Sequence, residues 1–560
     1  MLPNSANTVD ILTYQVPPEW REGTRIHSLY PPIPRKKGNI RFDIFDFEML
    51  FNDEKTRKLL RAGQTIGCFY IESPGMRSLL RRLDVETFEM LTAASSVIRP
   101  GVAESGMMQE FIARHKDPSR RKYLLPEMEI HLGETYGVMI YQEDVIKVAH
   151  HVAGLTLEES DLLRRAMSGK MRSHEAMKEI TDKFFVSCHA KGHSEETAKE
   201  LWRQIESFAG YSFCKAHSAS FALLSFQVAY LKAHYPAEFM ANVLNNGGGF
   251  YSSAVYIWEA KRMGLTIELP SVNHSFYEYT GKGNTIRIGL MAVKNLSGSS
   301  IEIIVEERKN NGRYVSLADF LVRTGLAYEE TAMLIKCGAM GCFRQTRPEL
   351  LRLLDIYVHR RRLLNHNYND LFVNETFDLE EEVKTNINFS AAEMCRTEYE
   401  TFNYMITRHP LSFFRKWVDH PSVIKAGEKD KYRGRKVKMI GWYMTSKRIR
   451  TKKGDIMKFL SLEDMTGTFE AVIFPRVYSR CAELTMSMGP YLVEGVIDTE
   501  DSNNIIVEDL KVLSTVAIRE SIQKDSVDHN YYGDEEKVSE EDFRLVNSLG
   551  KENLRRAYAS

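Results

Sequence analysis

The sequence predicts a multidomain α+β chain: a large helical domain, a helix-hairpin-helix region and a C-terminal OB-fold β-barrel. Three observations carry this. At 560 residues the chain exceeds what one hydrophobic core usually organises. From Asp53 to about Asn246 apolar residues recur at three- and four-residue spacing, as in LLRRAM, ELWRQIESF and SFQVAYLKAHY, the period of amphipathic and buried helices. Between about 433 and 515 the texture changes to short alternating runs (KVKMIGWYMTS, MKFLSLEDMTG, FEAVIFP, YLVEGVI) separated by turn residues, and five such strands suit an OB barrel.

Taken in order, residues 13 to about 40 read as an irregular connector, with Pro17, Pro18, Pro31, Pro32 and Pro34 followed by Arg35, Lys36 and Lys37. The helical domain is placed at 46–248. A second unit is placed at 249–375, its centre at 286–308 (IRIGLMAVKNLSGSSIEIIVEER) having the helix, short turn and helix layout of a helix-hairpin-helix. Such turns bind backbone phosphate through exposed amides, though the same layout also serves plain helix packing. A helical connector at 376–430 leads to the barrel at 431–518, and 519–560 is a charged tail.

Lysine plus arginine and aspartate plus glutamate are 75 each, so nucleic-acid binding cannot be argued from net charge and must rest on local clusters. Seven cysteines lie without the paired spacing of a zinc ribbon or the density of a disulfide scaffold. They read as buried small hydrophobes in a reduced cytoplasm, and no structural zinc is expected. No run approaches the roughly 20 apolar residues of a membrane span, and no membrane partner is expected.

Two clusters could bind anions. In FAGYSFCKAHSASFALLSFQVAYLKAHY (208–235) a basic, hydroxyl-rich turn abuts a long apolar helix, so Lys215, His217, Ser218 and Ser220 gather where free amides and the helix dipole favour phosphate. The same residues could simply cap a helix. Residues 425–458 hold 13 lysines and arginines against 3 acidic residues, interleaved with Tyr432, Trp442 and Tyr443. Trp442 as a stacking surface and Lys447, Arg448, Arg450, Lys452 and Lys453 as the charge point to single-stranded nucleic acid.

The turn at 215–220 follows GETYGVMIYQEDV (133–145) and DLLRRAM (161–167) in a fixed order, and IGCFYIESPGMRSLLRRL (66–83), IRPGVAESGMMQEFI (98–112) and YLKAHYPAEFMANVLNN (230–246) accompany them. Together these resemble the C-terminal part of bacterial family C DNA polymerases, the DNA polymerase III alpha type, over roughly residues 45 to 515. LNNGGGFY (244–251) leans toward the error-prone branch. The resemblance implies a fingers-like helical domain, a clamp-binding helix-hairpin-helix region, primer-template DNA and deoxynucleoside triphosphates as partners, and a cytoplasmic, nucleoid-associated location. It implies a phosphate grip from Arg164, Arg165, Lys170, Arg172, Lys215, His217 and Ser218, with Arg81, Arg82 and Arg99 along the primer-template. Glycines are usual in the family's helix-hairpin-helix turn, whereas this chain has Asn295, Leu296 and Ser297.

The family joins nucleotides with two Mg²⁺ ions held roughly 3.5–4 Å apart by an Asp-x-Asp pair and a third aspartate. No Asp-x-Asp occurs in this sequence. Residues 1–45 therefore resemble a residual palm segment, with Asp10 in Val9-Asp10-Ile11-Leu12 as the third carboxylate and Asp43 as its competitor. The missing pair is expected from a separate palm-containing chain, so the protein alone should be inactive. Asn367-Tyr368-Asn369-Asp370-Leu371-Phe372 resembles the family's sliding-clamp peptide, with Leu371 and Phe372 as the anchor. The alternative is a non-catalytic DNA-binding and clamp-recruiting module, or a truncated remnant.

Overall fold

The structure, a computed structural model, describes residues 43–98, 106–167, 174–206, 214–363, 383–451 and 453–513. These fall into two compact units, 43–234 and 235–513. Asp10, Arg99, Lys170, Arg172, Leu371, Phe372, Lys452 and the 519–560 tail lie outside the described residues.

The first unit is helical, and its local sequence explains where helices begin. Helices α1 (Phe47–Asn52), α2 (Glu54–Arg61), α3 (Pro74–Arg82) and α4 (Phe88–Val97) start at Asp46, Asp53, Ser73 and Thr87. Each of these side chains accepts a hydrogen bond from an amide in the first turn. Helices α5 (Met107–Lys116), α6 (Pro126–Leu132), α7 (Gln142–Lys147), α8 (Leu157–Met167), α9 (His174–Ala190) and α10 (Glu195–Glu206) follow, and a π turn at Val148–Val152 continues α7.

Helix α11 (Lys215–His234) packs against α1, α2 and α4 and is apolar on several faces, as a buried helix must be. Ala222, Phe226 and Ala229 are fully enclosed. Lys232 is also buried, and its Nζ donates to the carbonyls of Gln64 and Ile66 at 2.8 Å each, so the ammonium is satisfied by the loop it pins.

In the second unit, α12 (Pro236–Asn246) packs on a small sheet of β1 (Thr266–Glu268), β2 (Thr280–Lys282) and β3 (Thr285–Arg287), ordered β1-β3-β2. The sequence reading grouped this helix with the preceding domain. Gly281 permits the contact, because a Cβ there would lie 2.1 Å from the Ala237 carbonyl oxygen. Helix α13 (Ser253–Arg262) precedes the sheet, and α14 (Gly298–Asn311), α15 (Leu317–Thr324), α16 (Tyr328–Lys336) and α17 (Arg347–Leu363) follow it.

Within the region placed at 249–375, only the first segment of the layout expected over 286–308 differs. That segment is strand β3 and a single 3₁₀ turn at Leu290–Ala292, and α14 is the regular helix that follows. Ile286 and Ile288 alternate into the core, which is a strand's period. Asn295 adopts φ 60°, the left-handed conformation for which the family's glycine is suited.

Strands β4 (Lys436–Arg450), β5 (Ile456–Glu463), β6 (Thr468–Ile473), β7 (Tyr491–Ile497) and β8 (Asn504–Val512) close a barrel in the order β4-β5-β6-β8-β7, as expected for an OB-fold. Met439, Leu460, Leu462, Phe469, Ala471, Tyr491 and Val493 fill it. A second cluster packs α18 (Ala391–Phe402), through Ala392, Cys395 and Tyr399, with Phe413, Phe414 and the barrel's Ile440. Among the described residues no helix is long and apolar enough to cross a membrane.

Candidate phosphate and nucleic-acid interface

In the first unit the structure brings Arg164 and Lys215 to one short segment, while Arg165 stays paired on its own helix. Arg164 donates through Nε to Asp161 at 2.9 Å and through Nη1 to the side-chain oxygen of Gln142 at 2.9 Å. Arg165 Nε lies 2.7 Å from the other Asp161 oxygen, and the Arg164 hydrogen bond holds the Asp161 carboxyl below the usual carboxylate range. Across the Gln142–Glu143 step, the Lys215 amide donates to Glu143 at 2.9 Å and its Nζ donates to both oxygens of Glu134 at 2.7 Å. The ammonium also sits 5.5 Å from the centre of the Tyr141 ring.

This geometry depends on Asp144, whose carboxylate accepts the amides of Ile140 and Tyr141 at 3.0 Å each and so fixes the entry to α7. Burial pushes its pKa up to about 6. The segment is thereby a hydrogen-bonded ledge carrying Tyr141, Gln142 and Glu143 toward the start of α11.

Several expected members of the grip lie elsewhere. Ser218 is fully buried and accepts a hydrogen bond from Ser96 of α4 at 2.7 Å, so it holds two helices together and does not face the ledge. Positions 218, 222, 225 and 229 share the inward face of α11, which turns His217 outward. Its ring meets Phe221 edge-on at 4.2 Å. Arg81 and Arg82 occupy the last turn of α3, which packs on α2 and α4.

Asp43 does not sit on a strand. Its side chain accepts the Phe45 amide at 2.9 Å in a turn just before α1, which is a local capping role. Among the described residues no group of three or more His, Cys, Asp or Glu side chains could hold a metal ion.

The turn before α14 is internally satisfied. Ser297 caps the helix by accepting the Ser300 amide at 3.1 Å, and Glu330 accepts the Ser297 amide at 3.0 Å and the Ser300 hydroxyl at 2.8 Å. Burial would raise the Glu330 pKa, but these hydrogen bonds outweigh it and hold the carboxyl low. A carboxylate thus already takes one of the amides that could meet phosphate there.

On the barrel, β4 and β5 form a ribbon that pairs Lys447 with Phe459, Arg448 with Lys458 and Arg450 with Ile456. Lys447, Arg448, Arg450 and Lys453 are exposed. Arg448 and Arg450 lie two residues apart and share a face, whereas Lys447 takes the other. Lys458 is withdrawn from the charged surface; its Nζ donates to the Thr485 carbonyl at 2.8 Å, and burial followed by the nearby Arg448 lowers its pKa. Trp442 is half-buried, with its ring packed against the cluster of α18 and Phe414.

Sequence reasoning missed Glu134, Glu143 and Asp161 as partners of the cations. Glu143 and Glu134 meet Lys215 across 72 and 81 residues, which spacing cannot reveal, whereas Asp161 stands three and four residues before its arginines, a signal the sequence does carry.

Comparison with known proteins gives two family matches: the bacterial DNA polymerase III alpha subunit finger domain over residues 24–192 and a helix-hairpin-helix motif over 264–350. The DNA polymerase III subunit alpha of Aquifex aeolicus is 33% identical over 462 residues, which is 82% of this chain and 38% of that protein. That of Bacillus subtilis is 33% identical over 487 residues, 85% of this chain and 42% of that protein. That of Staphylococcus aureus strain COL is 31% identical over 500 residues, 88% of this chain and 45% of that protein. The chain spans less than half the length of these relatives.

Proposed function

The chain belongs to the bacterial DNA polymerase III alpha-subunit family, and from that premise we propose that it supplies the fingers, helix-hairpin-helix and barrel parts of a DNA-directed DNA polymerase. It grips primer-template and the incoming deoxynucleoside triphosphate. The observation that carries this reading is the meeting of Arg164 and Lys215 at the 141–143 ledge, at the start of a long buried helix. Guanidinium forks suit phosphate oxygens, and a lysine adds a mobile point charge.

Finer features belong to the same proposal. The barrel ribbon tracks single-stranded DNA, and Leu371 with Phe372 anchors the chain to a sliding clamp. The LNNGGGFY segment supports an error-prone type acting in translesion synthesis and repair in the cytoplasm, at the nucleoid. Nucleotidyl transfer in this family uses aspartate-held Mg²⁺, and the described residues do not fit such a site. We place the Asp-x-Asp pair, and with it the Mg²⁺, on a palm-containing partner outside these 560 residues. The absence of that pair from the sequence equally favours a second reading, a non-catalytic module that binds DNA and recruits the clamp.

Fluorescence anisotropy of a labelled primer-template with the full chain tests the grip. Binding should weaken with salt and should weaken further on replacing Arg164 and Arg165 together by alanine, while urea unfolding shifts far less. An unchanged dissociation constant at fixed salt assigns both arginines to the helix surface alone.

A further inference from the structure

We propose that the stacked imidazoles of His131 and His151 form a proton-operated clasp that fixes α6 against the π turn at Val148–Val152, closed while both rings are neutral and opened by acid. The ring centroids lie 4.2 Å apart with planes 8° from parallel, and His150 meets His151 edge-on at 4.6 Å. His131 stands on α6 and the other two stand on the π turn, so the stack is a side-chain link between two packed elements. Single π turns inside helices often mark functional positions.

The charge around the rings is one-sided. Lys147 stands four residues before His151 on the same helical run. From the segment after α9, Lys191 Nζ donates to the His151 carbonyl at 3.2 Å, its stem passing over Gly154, where a Cβ would lie 2.9 Å from Lys191 Cγ. His193 Nε2 donates to the Val152 carbonyl at 2.8 Å, and His150 Nδ1 donates to the Leu155 carbonyl at 2.7 Å. The carboxylates of the packed elements are engaged elsewhere. Asp144 is buried under its two amides, 3.9 Å from Lys147, and Glu134 and Glu143 are taken by Lys215. On α8, Glu159 accepts from Thr156 and Asp161 pairs with Arg164 and Arg165. Among the described residues Glu127, one turn before His131, and Glu129 and Glu158 are exposed, and no ion pair joins them to these rings.

Desolvation and then His131, His150, Lys191 and Lys147 all push the His151 pKa below its ordinary value. A first proton enters this cationic surround at a cost, and a second brings like charges face to face across the stack, so the rings part. The unfolded chain takes the proton more readily than the folded one. Stability from the clasp is therefore complete above about pH 6.5 and is lost as pH falls below it. Helix α6 runs into residues 133–135, which carry Glu134, and the π turn continues α7, whose first turn carries Gln142 and Glu143. Opening the clasp thus loosens the ledge from both sides, whatever the ledge binds.

Hydrogen exchange of the full chain, read by mass spectrometry on peptides covering 126–135 and 146–153 and corrected for the intrinsic effect of pH on exchange, tests this at about pH 7.5 and about pH 5.5. His131→Phe and, separately, His151→Phe keep a ring in the stack and remove one titrating group, and a remaining imidazolium can rest on the phenyl face. At the lower pH both variants should be severalfold better protected than wild type in these peptides, and at the higher pH they should match it. His151→Ala removes the stack and should reduce protection at both pH values with unchanged circular dichroism. Comparison with wild type at the same pH cancels the opposing titration of Asp144. The clasp is overturned if the phenylalanine variants and wild type are equally protected at the lower pH, or if His151→Ala matches wild type at the higher one.

Discussion

Asp144 shows how one buried side chain sets the geometry of a surface site. Its carboxylate takes two amides at the entry to α7, and burial raises its pKa to about 6, above the ordinary value of 3.8. The folded state therefore holds a proton that the unfolded chain releases between about pH 4 and pH 6. Stability contributed by this group is complete below pH 4 and is lost as pH rises through 6, by roughly 2–3 kcal/mol. Asp144→Asn keeps an oxygen for both amides and removes the titration. Urea unfolding of the two proteins at several pH values should show the variant gaining on wild type across this window. A difference between them that stays constant from pH 4 to pH 7 would mean that Asp144 titrates as an ordinary carboxylate.

At the scale of elements, a buried ion network ties α13 to the barrel. Arg262 Nη1 lies 2.7 Å from Glu463 of β5, Arg262 Nη2 lies 3.3 Å from Glu259, and all three side chains are nearly enclosed. Removing one partner leaves an uncompensated buried charge, so Glu463→Ala should cost on the order of 3–5 kcal/mol in unfolding free energy. A loss below 1 kcal/mol in urea unfolding would show that water reaches the site. The barrel ribbon makes a different forecast. Replacing Lys447, Arg448, Arg450, Lys452 and Lys453 by glutamine should flatten the salt dependence of single-strand binding, since each neutralised phosphate releases about 0.7 counterions. Trp442→Ala should lower the unfolding midpoint and leave single-strand affinity at fixed salt unchanged, because its ring packs with α18; a weaker affinity with an unchanged midpoint would return the ring to the DNA face. The strands and α11 were legible because period-2 and period-3.6 patterns are local. The inward turn of Ser218, the strand character of 285–287 and the burial of Trp442 were not, since each is decided by which element packs opposite. The turn at Asp43 was not legible either, since a short Asp-containing apolar run looks alike at a strand end and before a capped helix.

For the whole molecule, the two readings part on catalysis, and the sequence sets the terms. A polymerase site needs carboxylates to position its metal ions, and neither an Asp-x-Asp pair in the sequence nor an acidic cluster among the described residues supplies them. The full chain alone should therefore fail to extend a primed template with Mg²⁺ and deoxynucleoside triphosphates. Under the polymerase reading, adding a fragment that carries the palm aspartates should produce extension, and that extension should require Lys215 and Arg164 of this chain. Asp10→Asn should then abolish the restored activity while Asp43→Asn, changed only in a turn before α1, should not. The reverse pattern would move the third carboxylate to Asp43. If primer-template binds the chain but no palm fragment restores extension, the non-catalytic reading gains, because grip and chemistry would then be separable. Extension by the chain alone, with a clean mock preparation, would overturn the premise that its carboxylates come from elsewhere.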